Sequence, residues 1–220
     1  MKLKKIASLM LAGVMAVSML AGCSNGTKPD DGEKDPVVDS SLTGKVIAAL
    51  DEDTTKNVKF TADSNLQAVL NKVVSNVGYT GAANITWQNL NNVDGELGDW
   101  NQLPNVGKSE TTEDDKDVQK AIFVYSFAGK GMNTATVAKE LAKKIDGHNI
   151  GKVSNGDVKW ADLPEYTPTT SDKDGEFWYA LDYAAGVATA EVSDAVTGET
   201  EYVVAVTVTR TPTKTYKADK

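Results

Sequence analysis

Residues 202–210 read Tyr-Val-Val-Ala-Val-Thr-Val-Thr-Arg. A β-branched and aromatic run of this kind alternates along a pleated strand and has no helical period, so it must be a strand. A strand needs neighbours, and the chain supplies them. Residues 177–192 are long and apolar enough for one bent strand or two. Thr197-Gly198 lies between these runs and reads as a hairpin turn. Residues 121–127, Ala-Ile-Phe-Val-Tyr-Ser-Phe, make a third strand. Weaker strand candidates lie at 46–50, 58–61, 84–87 and 157–160.

Two helices are legible between the strands. Over 65–77, Leu66, Leu70, Val73 and Val77 recur at helical spacing, with Asp63 or Ser64 as cap and Gly78 suited to the stop. Over 134–146, Val137, Leu141 and Ile145 form the stripe, Asn133 the cap and Gly147 the stop. Lys143 and Lys144 sit near the negative end of that helix dipole. An internal echo follows each helix: Asn-Ile-Thr-Trp-Gln-Asn-Leu at 84–90 and Asp-Val-Lys-Trp-Ala-Asp-Leu at 157–163. It reads either as a degenerate duplication of a helix–strand–strand unit or as coincidence. Trp87 and Trp160 fit as anchors on strands, each ring against its own helix, with Asn89 and Asp162 starting the turns that follow. The expected fold class is α+β, a largely antiparallel sheet with two helices on one face and a C-terminal β-hairpin.

Composition narrows the function. Lys and Arg number 23 against 31 Asp and Glu, which argues against nucleic acid, whose phosphates require a basic patch. One Cys excludes a disulfide framework or a cysteine zinc cluster, and one His excludes multi-histidine metal sites.

The N-terminus reads as an address. Lys2, Lys4 and Lys5 precede an uncharged apolar stretch over 6–20, too short to span a bilayer and suited to export. It ends Leu20-Ala21-Gly22-Cys23, which resembles the lipobox of bacterial lipoproteins. The resemblance implies cleavage before Cys23 and diacylglycerol on its sulfur, with the bilayer as partner through the acylated cysteine. It implies a location on the outer face of a bacterial membrane, the cell surface if the envelope has a single membrane. Residues 1–22 are then signal, 23–42 the lipidated cysteine and a flexible acidic spacer, 43–212 one α+β domain, and 213–220 a polar tail. Removing three lysines with the signal leaves 20 basic against 31 acidic residues, a mature net charge of −11. Lipid rather than charge would hold such a domain at an anionic bilayer.

Candidate chemistry is sparse. His148, just past a helix end, reads as a solvent-facing residue interacting with the dipole. No nucleophile motif accompanies it, and Gly129-Lys-Gly131 lacks the Walker spacing. Carboxylate pairs for glycoside hydrolysis are guaranteed by number alone and so decide nothing. Asp172, Asp174 and Glu176 alternate around Gly175 as in a calcium loop but lack the twelve-residue frame, so a solvated turn is the plainer reading and no cofactor is expected. The loop over 91–107 holds Trp100, Asn101 and Gln102 among Gly, Asp and Asn. An aromatic face beside amides can stack on a sugar ring or anchor a protein contact, or else Trp100 and Leu103 pin the loop to the domain. The expected function is a non-catalytic module displayed for a glycan, envelope or protein ligand. The alternatives are a small carboxylate-dependent hydrolase of cell-wall or dietary polysaccharide, and an assembly protein without a ligand.

Overall fold

A computed structural model of the chain describes residues 41–77, 81–98, 102–103, 117–153, 156–163, 177–193 and 198–216. Contacts divide the chain into Met1–Val37 and Val38–Lys220, and every described residue belongs to the second unit. Its helices are α1 (Leu42–Ala48), the single turn α2 (Glu52–Thr55), α3 (Ser64–Val77), α4 (Trp87–Val93) and α5 (Thr134–Asp146). Its strands are β1 (Val58–Ala62), β2 (Gln119–Ala128), β3 (Gly151–Val153), β4 (Gly156–Val158), β5 (Phe177–Ser193) and β6 (Thr200–Tyr216).

The spine is the antiparallel pair β5–β6, in unbroken register from Phe177 opposite Tyr216 to Ser193 opposite Thr200. Gly198, at φ +67°, supplies the left-handed residue of the connection, as the turn reading requires. Strand order is β1-β5-β6-β2, with β1 parallel to β5 and β2 antiparallel to β6. The expected α+β class with a mainly antiparallel sheet is therefore what forms. β6 runs on to Tyr216, into the residues read as a polar tail. β2 stops at Gln119, opposite Arg210, and two residues beyond Arg210 comes Pro212, which has no N–H to offer a ladder. Past the end of β1, the side chain of Gln67 continues the pairing. Its Nε2 donates to the Thr189 carbonyl at 2.9 Å and its Oε1 accepts the Thr189 N–H at 3.3 Å, so an amide takes the place of a strand at that edge.

The expected placement of both helices on one face is not what forms. α5 packs Val137, Leu141 and Ile145 against Phe123, Val204 and Val206 on one face. α3 packs Leu66, Val69, Leu70 and Val73 against Ile122, Val203 and Ala205 on the other. Topology explains this. The chain leaves edge β1 through α3 for the far edge β2, then returns through α5 to β5 beside β1. Reversing direction while keeping one handedness of crossover requires opposite faces, and about 98% of such crossovers are right-handed.

Other expectations shift for local reasons. Residues 46–50 belong to or follow α1, whose N-terminus is capped by Ser41 Oγ accepting from Gly44 N at 3.1 Å. A short apolar run cannot by itself distinguish strand from helix. The strands expected at 84–87 and 157–160 give way to a 3₁₀ turn (Ala82–Asn84) leading into α4, and to β4 followed by a 3₁₀ turn (Trp160–Asp162).

The echo thus has a physical meaning different from the one expected. In both copies Trp is the first residue of a helical turn rather than part of a strand. The Asn or Asp two residues later reaches back to the cap: Asn89 Oδ1 accepts from Thr86 N at 2.9 Å, and Asp162 Oδ2 from Lys159 N at 3.2 Å. With Thr86 the box closes reciprocally, its Oγ1 accepting from Asn89 N at 3.4 Å, whereas lysine has no acceptor to return. The pattern is a capping turn used twice, once against each face of the sheet. We predict that Asn89→Ala and Asp162→Ala each lower unfolding free energy by about 1 kcal/mol. Because the turns pack in separate clusters, the double variant should equal the sum within about 0.5 kcal/mol in urea titrations.

Candidate functional site

The described residues with the most distinctive chemistry gather where α5 ends. Gly147 N bonds Lys143 O at 3.0 Å and His148 N bonds Ile145 O at 2.9 Å, closing the helix. The chain then turns inward instead of out to solvent. His148 is only 7% exposed, which corrects the expectation of a solvent-facing ring. Its imidazole stacks on Phe123 at a centroid distance of 3.7 Å and an interplanar angle of 20°. Tyr125 Oη lies 2.8 Å from His148 Nδ1, and the direction of that hydrogen bond follows the imidazole tautomer. Burial raises the Tyr125 pKa above its ordinary value, which keeps the phenol protonated at neutral pH.

Trp160 lies beneath this pair, 1% exposed, packed edge-on to Phe60 at 5.0 Å and 6.1 Å from Phe123. Its Nε1 donates to Ile145 O at 2.7 Å, satisfying a carbonyl at the C-terminal end of α5. The expectation of a buried anchoring indole against its own helix is met here, from a 3₁₀ turn instead of a strand, and its N–H bonds the helix end. The sequence reading missed Phe123 and Tyr125 as partners of His148. Their period-two spacing on β2 was the available signal, because it puts both rings on one sheet face.

A polar corner adjoins the aromatic stack. Ile150 N donates to Val158 O at 2.8 Å, Leu103 N donates to Ile150 O at 2.8 Å, and Leu103 bridges Gly151 in parallel. Asn149 Nδ2 donates to Asp157 Oδ2 at 2.8 Å. Gln102, named from sequence as a ligand contact, donates its Nε2 to Asn149 O at 3.1 Å. Leu103 is 1% exposed. At these two residues the loop is pinned to the domain, and Gln102 acts as a positioning residue. Trp100 and Asn101 lie outside the described residues, as do Cys23, Asp172, Asp174 and Glu176.

Among the described residues, Asp146 and Asp51 are two carboxylates that act on one another. Burial raises the Asp146 pKa, against hydrogen bonds from Thr54 and from Asp51 N, with the Asp51 charge adding to the rise. Asp146 Oδ1 accepts from Asp51 N at 3.2 Å. Asp51 precedes α2, so the carboxylate serves to fasten that turn to the end of α5. Among the described residues no group of three or more His, Cys, Asp or Glu is arranged to hold a metal, and no helix is long and apolar enough to cross a membrane. No protein-family model matches the chain, and neither a curated protein nor a solved structure matches it.

Two predictions follow the chemistry of these groups. Tyr125→Phe removes the hydrogen bond to a buried imidazole and should cost about 1–2 kcal/mol by chemical denaturation. Asp146 holds its proton more tightly when folded than when unfolded, so its contribution is full at acid pH and is lost as pH rises through its raised pKa. The difference in melting temperature, Asp146→Asn minus wild type, should therefore grow more positive from pH 3 to pH 7 (roughly the range over which a carboxylate ionises). A flat difference refutes this.

Proposed function

We propose that the chain is a lipid-anchored lipoprotein on the outer face of a bacterial membrane, displaying a non-catalytic binding module for a glycan, envelope component or protein. The observation that carries the reading is the placement of the chain's only cysteine. Cys23 ends Leu20-Ala21-Gly22-Cys23, directly behind a lysine-led apolar segment. Two acyl chains suffice for stable anchoring.

The architecture is compatible with such a display. The first described helix, α1, opens at Leu42 behind its Ser41 cap, at the last two residues of the stretch read as spacer. Thr43 Oγ1 sits 2.8 Å from Thr189 Oγ1 in a buried contact, so the point where the spacer meets the domain is fastened to the central sheet. Among the described residues, the binding reading is supported over hydrolysis by how the reactive groups are used. His148 is enclosed between Phe123 and Tyr125, and Asp146 is engaged with Asp51 and Thr54.

Metabolic labelling with an alkyne-bearing palmitate analogue tests the anchor. Wild-type chain expressed in a bacterial host should take up label and pellet with membranes, and Cys23→Ala should do neither. Label retained by Cys23→Ala, or absent from wild type, overturns the reading.

A further inference from the structure

The stretch that forms α3 and α4 is poor in charge between Asp63, which caps α3, and Asp94, which closes α4. The thirty residues from Ser64 to Val93 contain one charged side chain, Lys72, although charged residues make up 25% of the chain and a quarter of thirty is between seven and eight. Nine of the thirty are Asn or Gln. The two helices share one apolar underside, and Asn65 Nδ2 donates to Asp94 Oδ2 at 2.9 Å, joining the start of α3 to the end of α4.

Several of these amides reach the surface. Asn71, Asn76, Gln88 and Asn92 are exposed, and Asn71 Oδ1 also accepts from Gln67 Nε2 at 2.9 Å. Gln88 and Asn92 stand four apart on α4, hence on one side of the helix. Asn91 Oδ1 is buried with no hydrogen-bond partner among the described residues. Trp87 heads the same helix, partly buried against the core below and partly open above. Asparagine is a poor helix former, and beyond Asn89, which serves the cap, α4 still carries Asn91 and Asn92. Surface positions that oppose their local structure mark places where something other than folding selects the residue.

We propose that the exposed α3–α4 face is a docking surface for a neutral polysaccharide. Each amide offers two donors and an acceptor, which matches hydroxyl groups that both give and take hydrogen bonds. The open part of Trp87 offers an apolar face to a sugar ring. The scarcity of charge suits a neutral polymer and leaves an acidic polymer no cationic row to hold it. The proposal rests on the reading of the chain as a displayed binding module and names the ligand class and the face. That face differs from the Trp100 loop expected from sequence.

The test uses the full lipidated chain in phosphatidylcholine vesicles, sedimented with fluorescent galactomannan, mixed-linkage β-glucan or polygalacturonate. At least one neutral polymer should co-sediment, equally with and without about 1 M salt, and polygalacturonate should not. Asn71→Asp combined with Gln88→Glu and Asn92→Asp should weaken retention about tenfold, whereas Lys72→Ala should leave it unchanged. These positions are exposed, and an unaltered circular dichroism melt confirms the variant fold. The proposal is overturned if neither neutral polymer is retained, if polygalacturonate is retained as well as they are, or if the triple variant binds like wild type. Failure of the chain to stay with the vesicles counts against the anchor alone. Polymer binding is then read by titration in solution, so the two failures are distinguishable.

Discussion

The fold depends on one strand being apolar on both of its sides. Val203, Val204, Ala205 and Val206 of β6 are all fully buried, and consecutive residues of a strand point to opposite faces. No single layer of helices can cover such a strand. Removing a residue like Val204 or Val206 from water is worth about 1.5–3 kcal/mol for a full side chain, and the gain is realised only if both faces are closed. The reversal of direction between the two crossovers meets that demand. α3 with α4 closes one face, and α5 with α1 closes the other.

The two covers are built from different materials. The α5 side is aromatic within: Phe60, Trp160, Phe123 and His148 meet ring to ring in a continuous series, and Tyr125 bonds the imidazole at its end. The α3 side is aliphatic within, built from Leu, Val, Ile and Ala. Close approach matters there too. A Cβ at Gly186 would fall 2.6 Å from Asp63 Oδ2 and 2.8 Å from Thr207 Oγ1. Asp63 caps α3 through Leu66 N at 3.0 Å, so the missing side chain on β5 lets the helix cap sit directly on the sheet.

What the sequence disclosed divides along the range of the interactions. α5 could be read to its last residue because its cap, stripe and stop are all local: Asn133 accepts from Thr136 N at 2.9 Å, and Val137, Leu141 and Ile145 are buried. β2, β5 and β6 were legible through β-branched and aromatic density. The parallel pairing of β1 with β5 was not, since it joins Val58 to Tyr183 across most of the domain and leaves no local trace. The sequence did hold one neglected clue to the two covered faces. Residues 203–206 are a continuous apolar run, whereas strict alternation sets in only from Val206 to Thr209, and continuous runs belong to strands buried on both sides. His148 was misjudged because its position was weighed against the helix dipole alone. Where the chain goes next, toward Ile150 and its bond to Val158 O, is a tertiary matter. Of the residues named as candidate contacts, Gln102 is the one described, and its role followed from a partner 47 positions away.

The paired capping turns connect these observations. Each crossover must bring its chain down from a helix lying over the sheet and redirect it toward the next strand. Each does so with Trp at the first turn position, an Asn or Asp at the third, and Leu at the fourth. Trp160 sinks fully and gives its N–H to the end of α5, which fixes the floor under His148. Trp87, in the matching position, remains partly open at the edge of the amide-rich layer. The same local device is thus committed to packing on one face and left available on the other. That asymmetry leaves the α5 side an enclosed aromatic interior that holds the sheet, while the α4 Trp stays partly exposed beside the amides.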